Sequence, residues 1–185
     1  VHDSLWEAAT RHPFLDKVRN GTIPESSFDR WLVQDALFVR DLLTFQARLL
    51  ARAPRPAQAV LASGCVGLVE EQDWFEGHAV SRGLDLDQEP LPPTRAYAKL
   101  LRELDAAPYP AAVTALWVVE QVYLDAWTTA KSDTSPLAEF VEHWTAPGFA
   151  EYVTRLGQLA GPAEHADLVR DVLVQEVAFW DMALG

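Results

Sequence analysis

Prolines and glycines cut this chain into segments of helical length, and between the cuts apolar residues recur at the three-to-four-residue spacing of a buried helix face. Ser4 to Arg19 reads as a short helix stopped at Asn20-Gly21, since glycine closes a helix in the left-handed conformation without a side-chain clash. A long periodic segment follows Pro24-Glu25-Ser26 and runs to Arg52, where Pro54 and Pro56 interrupt it. Ala57 to Arg82 comes next, with Gly83 as its terminator, and then a polar, proline-rich linker, LDLDQEPLPP. Thr94 opens a helix to Asp105, and Pro108 and Pro110 precede another that ends at Lys131. Ser135-Pro136 reads as a cap with proline at the first helical position, Pro147-Gly148 breaks the following stretch, and Gly161-Pro162 starts the last helix.

No stretch alternates apolar and polar residues long enough to build a sheet, and no repeat is visible. The expected fold is therefore all-α, a bundle of seven to eight helices forming one domain over residues 1–185. Half the residues are hydrophobic and seven are tryptophan, enough to fill a core without disulfides or a structural metal. A net charge of −12 repels nucleic acid and anionic membrane surfaces, so neither is expected as a partner. No apolar run approaches the roughly 20 residues that span a bilayer, and the opening stretch VHDSLWEAATRHPF does not read as a signal peptide. With one cysteine, Cys65, and no intrachain disulfide possible, a cytoplasmic location is expected.

Turning the long segments at about 100° per residue brings out three carboxylates on faces that should be dry. In the segment ending at Arg52, Phe28, Leu32, Val39, Leu42 and Leu49 share one face; Asp35 falls at its centre and Gln46 lies in the same stripe. In the last segment, Glu176 sits among Val172, Leu173, Phe179 and Trp180. Between Ala112 and Ala130 apolar residues cover most of the circumference, with Glu120 among Val113, Leu116, Leu124 and Trp127. An unpaired ionised carboxylate in an apolar interior costs several kcal/mol at least. One such residue is as readily half of a helix-to-helix salt bridge; three on separate helices point to a shared polar cavity.

Other chemistry is poorly represented. The histidines His2, His12, His78, His143 and His165 include no HExxH or ExxH spacing, and a carboxylate-rich di-iron site needs Glu-x-x-His pairs on two helices. Glu70 and Glu71, with Asp73 and His78, read as a solvated acidic face rather than a ligand set. No phosphate loop, GxSxG elbow or CxxC pair occurs. Cys65, within ASGCVGL, reads as a small core residue. The many flat rings suit stacking against a planar heterocycle.

The chain resembles the TenA family, also called thiaminase II, whose members have a heme-oxygenase-like helical fold. The resemblance runs nearly end to end, from LWEAATRHPFLDKVRNGTIPESSFDRWLVQDALFVRDL at 5–42, through LPPTRAYAKLL at 91–101 and ALWVVEQVYLDAW at 115–127, to VQEVAFWDMAL at 174–184. It implies that Asp35 binds an aminopyrimidine and that Glu176 acts as acid/base, with Glu120 as a third catalytic carboxylate. Phe38, Tyr97, Tyr123, Trp144 and Phe179 would form the substrate pocket. Thiamine-cleaving members carry a nucleophilic cysteine in the helix corresponding to ALWVVEQVY; here that position is Val119, or Glu120 if the match slips by one. The chain is thus similar to the cysteine-lacking branch, associated with salvage of damaged thiamine pyrimidines.

The resemblance implies a hydrolase that removes a formyl or amino group from aminomethylpyrimidine species, with a small aminopyrimidine as partner and neither cofactor nor metal. Relatives suggest a homodimer or homotetramer. Two other readings share the fold: a non-catalytic pyrimidine-binding or regulatory protein, and a heme-oxygenase-like oxidase.

Overall fold

The computed structural model describes residues 2–185, and among them nine α-helices and no strand. They are α1 (Asp3–Thr10), α2 (Pro13–Asn20), α3 (Glu25–Ala51), α4 (Arg55–Arg82), α5 (Pro92–Asp105), α6 (Tyr109–Thr129), α7 (Ala138–Trp144), α8 (Pro147–Gly157) and α9 (Ala166–Leu184). The all-α expectation holds, with more helices than expected because the first segment is two. Pro13 cannot continue α1 and starts α2 instead, while His12 caps α2 by accepting the Phe14 N–H on Nδ1 at 3.1 Å. Proline likewise stands in the first two positions of α4, α5, α6 and α8, where its missing N–H has no helical partner to lose. Gly21 and Gly83 close α2 and α4 with φ of 68° and 65°, in the left-handed region that favours glycine.

Four predicted starts move, the first at Ala57, which lies inside α4, begun two residues earlier at Arg55. Thr94 lies inside α5, which begins two residues earlier at Pro92. Ser135 does turn the chain, donating to the Val18 carbonyl and accepting the Leu137 N–H, but helical geometry starts only at Ala138. Gly161-Pro162 leads into a turn, and α9 starts at Ala166.

Helices α3, α6 and α9 pack on one another at the centre; α4 and α5 flank α3, and α8 bridges α4 and α6. The linker between α4 and α5 is pinned by Gln34 of α3. Its amide oxygen accepts the Leu91 N–H at 2.9 Å and the Thr94 hydroxyl at 2.6 Å, and its nitrogen donates to the Glu89 carbonyl. One residue later the helix has rotated about 100°, and Asp35 points to the other side, into the bundle.

A knot of aromatic rings fills the core beside α3. Trp31, fully buried, lies 5.1 Å from Phe28 and Trp127 and 5.3 Å from Trp144, with Phe14 and Phe75 at 6.3 and 6.1 Å. Rings at such separations contribute beyond the area they bury. Trp31→Ala should therefore lower unfolding free energy by about 3–5 kcal/mol, measured by denaturant titration. A loss under about 1 kcal/mol would show that this cluster is not a principal part of the core.

Candidate functional site

Each carboxylate singled out in the sequence projects inward from one of the three central helices. Asp35 on α3, Glu120 on α6 and Glu176 on α9 are 2%, 7% and 4% exposed. Two are held by tyrosines. The Tyr123 hydroxyl donates to Asp35 Oδ2 at 2.6 Å, and the Tyr97 hydroxyl donates to Glu176 Oε1 at 2.5 Å. Tyr123 is itself fixed by rings: it stacks at 11° on Trp180, 6.2 Å away, and meets Trp144 edge-on at 5.6 Å. Tyr97 lies 4.5 Å from Phe38, which also contacts Phe179 at 6.0 Å.

Glu120 has no hydrogen-bond partner among the described residues. A fourth carboxylate, Glu71 on α4, joins the group and accepts the Trp144 indole N–H at 2.7 Å. The solvated acidic face expected there is thus corrected: Glu70, Asp73 and Glu76 are exposed, but Glu71 turns inward between Leu68 and Phe75. That 68, 71, 75 spacing is the helical signal that could have found it. The run of neighbouring acids concealed it.

The four acids act on one another. Burial pushes Glu120 up to about 8, helped by the charges of Glu71, Glu176 and Asp35. Burial raises Glu71 and Glu176 to about 7, against the lowering effect of the Trp144 and Tyr97 hydrogen bonds. Asp35 is held well above the usual aspartate range, again first by desolvation, with Tyr123 opposing and Glu71 and Glu176 adding. Like charges in a poorly hydrated space cannot all ionise at neutral pH.

Two adjoining hollows border Glu71 and Glu120. An inner chamber of about 20 Å³, space for about one water molecule, is lined by Asp35, Phe38, Glu71, Glu120, Tyr123 and Trp144 among others. Outside it lies a cleft of about 560 Å³ between α4, α6 and α8, bordered by Gly67, His143, Phe149, Tyr152 and Arg155. Leu68, Glu71, Glu120, Trp144 and Phe149 belong to both and form the wall between them. Of the site residues read from the sequence, Asp35, Glu120, Phe38, Tyr123 and Trp144 line the chamber. Glu176, Tyr97 and Phe179 form a layer behind Phe38. Phe149 and Tyr152, absent from the sequence reading, enter through the packing of α8 on α4 and α6. Cys65 is half-buried on α4, lines neither hollow, and has its thiol pushed up by burial, away from the reactive thiolate. Among the described residues, no three histidine, cysteine, aspartate or glutamate side chains are grouped to hold a metal ion, and no helix is long and apolar enough to cross a membrane.

The whole chain, residues 1–185, matches the TENA/THI-4/PQQC family model. A soybean (Glycine max) protein described as "Probable bifunctional TENA-E protein" is 34% identical over 206 residues, covering all of this chain and 90% of that protein. The crystal structure of PF1337, a TenA homologue from Pyrococcus furiosus, is 29% identical and superposes with a TM-score of 0.91 over 98% of this chain and 95% of its own. A TenA homologue from P. horikoshii shares the fold at 21% identity, with a TM-score of 0.86 and coverage of 98% and 93%.

The raised carboxyls predict a pH-dependent stability. In an unfolded chain glutamates titrate near 4.5, whereas folded Glu71 and Glu176 do so at about 7 and Glu120 at about 8. Across that window the folded state binds more protons, so stability falls as pH rises. Thermal unfolding midpoints should drop between these limits, and Glu120→Gln, neutral at every pH, should flatten the upper part. A wild-type midpoint that climbs through the window would show that these groups titrate normally.

Proposed function

Because the chain belongs to the TENA/THI-4/PQQC family, we propose that it hydrolyses thiamine-derived aminopyrimidines, removing a formyl or amino group from aminomethylpyrimidine species in thiamine pyrimidine salvage. The observation that carries this reading is the glutamate on α6. Where thiamine-cleaving relatives of the resemblance carry a nucleophilic cysteine, this chain has Val119-Glu120, and Glu120 borders both chamber and cleft. Cleavage through a covalent thioether is thereby disfavoured, and water activated between carboxyls is left as the nucleophile.

In this mechanism Asp35, steadied by Tyr123, accepts a hydrogen bond from the 4-amino group of the pyrimidine. Phe38, Phe179 and Trp144 wall the ring, and Tyr97 and Tyr123 orient it. The chamber as it stands admits a water and not a ring, so the heterocycle enters by displacing side chains of its lining, Phe38 and Phe149 among them. Glu120, which keeps its proton to about pH 8, serves as general acid toward the leaving nitrogen. Glu176, to which Tyr97 donates a hydrogen bond that favours the ionised form, serves as the base that takes a proton from water. Two carboxyls with the same chemistry are thus assigned opposite roles by their surroundings.

Incubation with thiamine, aminomethylpyrimidine and its N-formyl derivative, followed by product mass analysis, tests the reading. Formate should be released from the N-formyl compound and ammonia from the aminomethyl compound, with thiamine untouched. Binding without product would point instead to a carrier. Glu176→Gln should lower kcat by at least about 100-fold with an unchanged circular dichroism spectrum; full activity would remove its proposed role. The kcat/KM profile should be bell-shaped, rising near 7 as Glu176 ionises and falling near 8 as Glu120 loses its proton.

A further inference from the structure

Gln46 is completely buried, lies on the apolar stripe of α3, and is not used by the mechanism above. Its side-chain nitrogen donates to the Leu61 carbonyl of α4 and to the Tyr152 hydroxyl of α8, both at 3.0 Å. A backbone carbonyl can only accept, so the amide is locked with its nitrogen toward both partners. Tyr152 must then accept from Gln46, and its own proton is left over. That proton meets no protein acceptor among the described residues, and Tyr152 borders the outer cleft together with Glu120.

The arrangement is built with care for space. Gly64 lies against both polar groups: a Cβ there would collide with Gln46 Nε2 and Tyr152 Oη. Glycine at this point of α4 lets three helices bring the amide and the phenol together in the interior. Burial and the neighbouring Glu120 charge raise the phenol well above its ordinary range, so it remains a donor.

We infer that Tyr152 donates a hydrogen bond to the carbonyl oxygen of an N-acyl aminomethylpyrimidine, held for this purpose by Gln46 and Gly64. The inference rests on the hydrolytic reading of the site and gives the amide reaction a residue of its own. Water adds through oxygen to the carbonyl carbon while its proton passes to Glu176. The C=O π pair moves onto the carbonyl oxygen, where the Tyr152 O–H stabilises the developing negative charge. Collapse restores the carbonyl, breaks the C–N bond, and expels the amine with a proton from Glu120. The products are formate and the aminomethylpyrimidine, and proton exchange with solvent resets the two glutamates. Displacement of ammonia from the aminomethyl carbon forms no oxyanion, so Tyr152 has no comparable part in it.

The two substrates therefore separate this role from a structural one. Tyr152→Phe should lower kcat for the N-formyl compound by about 100-fold. It should change aminomethyl turnover and the aminomethyl dissociation constant, read by calorimetry, by less than about threefold. Gln46→Leu should cost about tenfold on the amide and add less than about twofold in the Tyr152→Phe background, because the amide acts only through the phenol. Equal losses on both pyrimidines, or no loss on the amide, would overturn the role of Tyr152 while leaving the hydrolytic reading intact. Failure of the wild-type protein to release formate would overturn it too, and failure to release ammonia as well would overturn the hydrolytic reading.

Discussion

Grouping four acids, three of them buried and Glu71 part-buried at the edge of the cleft, is the constraint around which this molecule is organised. An isolated carboxylate in such a setting would be driven to protonate or to find a partner. Here both responses occur at once. Tyr123 and Tyr97 each give a hydrogen bond to one acid, Trp144 gives one to a third, and Glu120 is left without any. The result is that Glu71, Glu120 and Glu176 keep or release protons near neutrality rather than far below it. That is the range in which a carboxyl can serve as acid and its neighbour as base.

Holding such a group together requires a stiff frame, and the tryptophans supply one. Trp127 and Trp144 stack at 4.9 Å, Trp31 wedges against both, and Trp180 backs Tyr123. Trp144 is both a core ring and a donor to Glu71, so packing and polarity are tied at one residue. The outer side is different. The cleft is formed by α8 and by glycine positions on α4, and it leaves room for whatever is attached to a ring held further in. In the proposed reading Glu120 acts at the shared wall, Asp35 recognises the ring inside it, and the cleft takes what the ring carries.

Much of this could be read from the residues alone, for physical reasons that differ from place to place. Asp35 and Glu176 were visible because each interrupts a clean apolar stripe, and Glu120 because its helix is apolar nearly all round. Pro13 announced a helix boundary inside a segment read as one. Glu71 is hidden by exposed acids nearby, since charge runs on a surface helix carry the same letters as an acid turned inward. Tyr152 had no local mark at all: its importance comes from the crossing of α8 over α4, a tertiary fact. Gln46 stands out on the stripe, but only its two acceptors reveal what it holds.

The central claim is that these acids share a dry space and titrate as one group. Carboxyl resonances of protein labelled with ¹³C at aspartate and glutamate, followed from about pH 4 to about pH 9, test it directly. Glu120, identified by its disappearance in Glu120→Gln, should titrate near 8, and neutralising a neighbour that raises it, by Glu71→Gln or Glu176→Gln, should shift its curve downward. Curves that all fall near 4.5 and ignore one another would contradict the account.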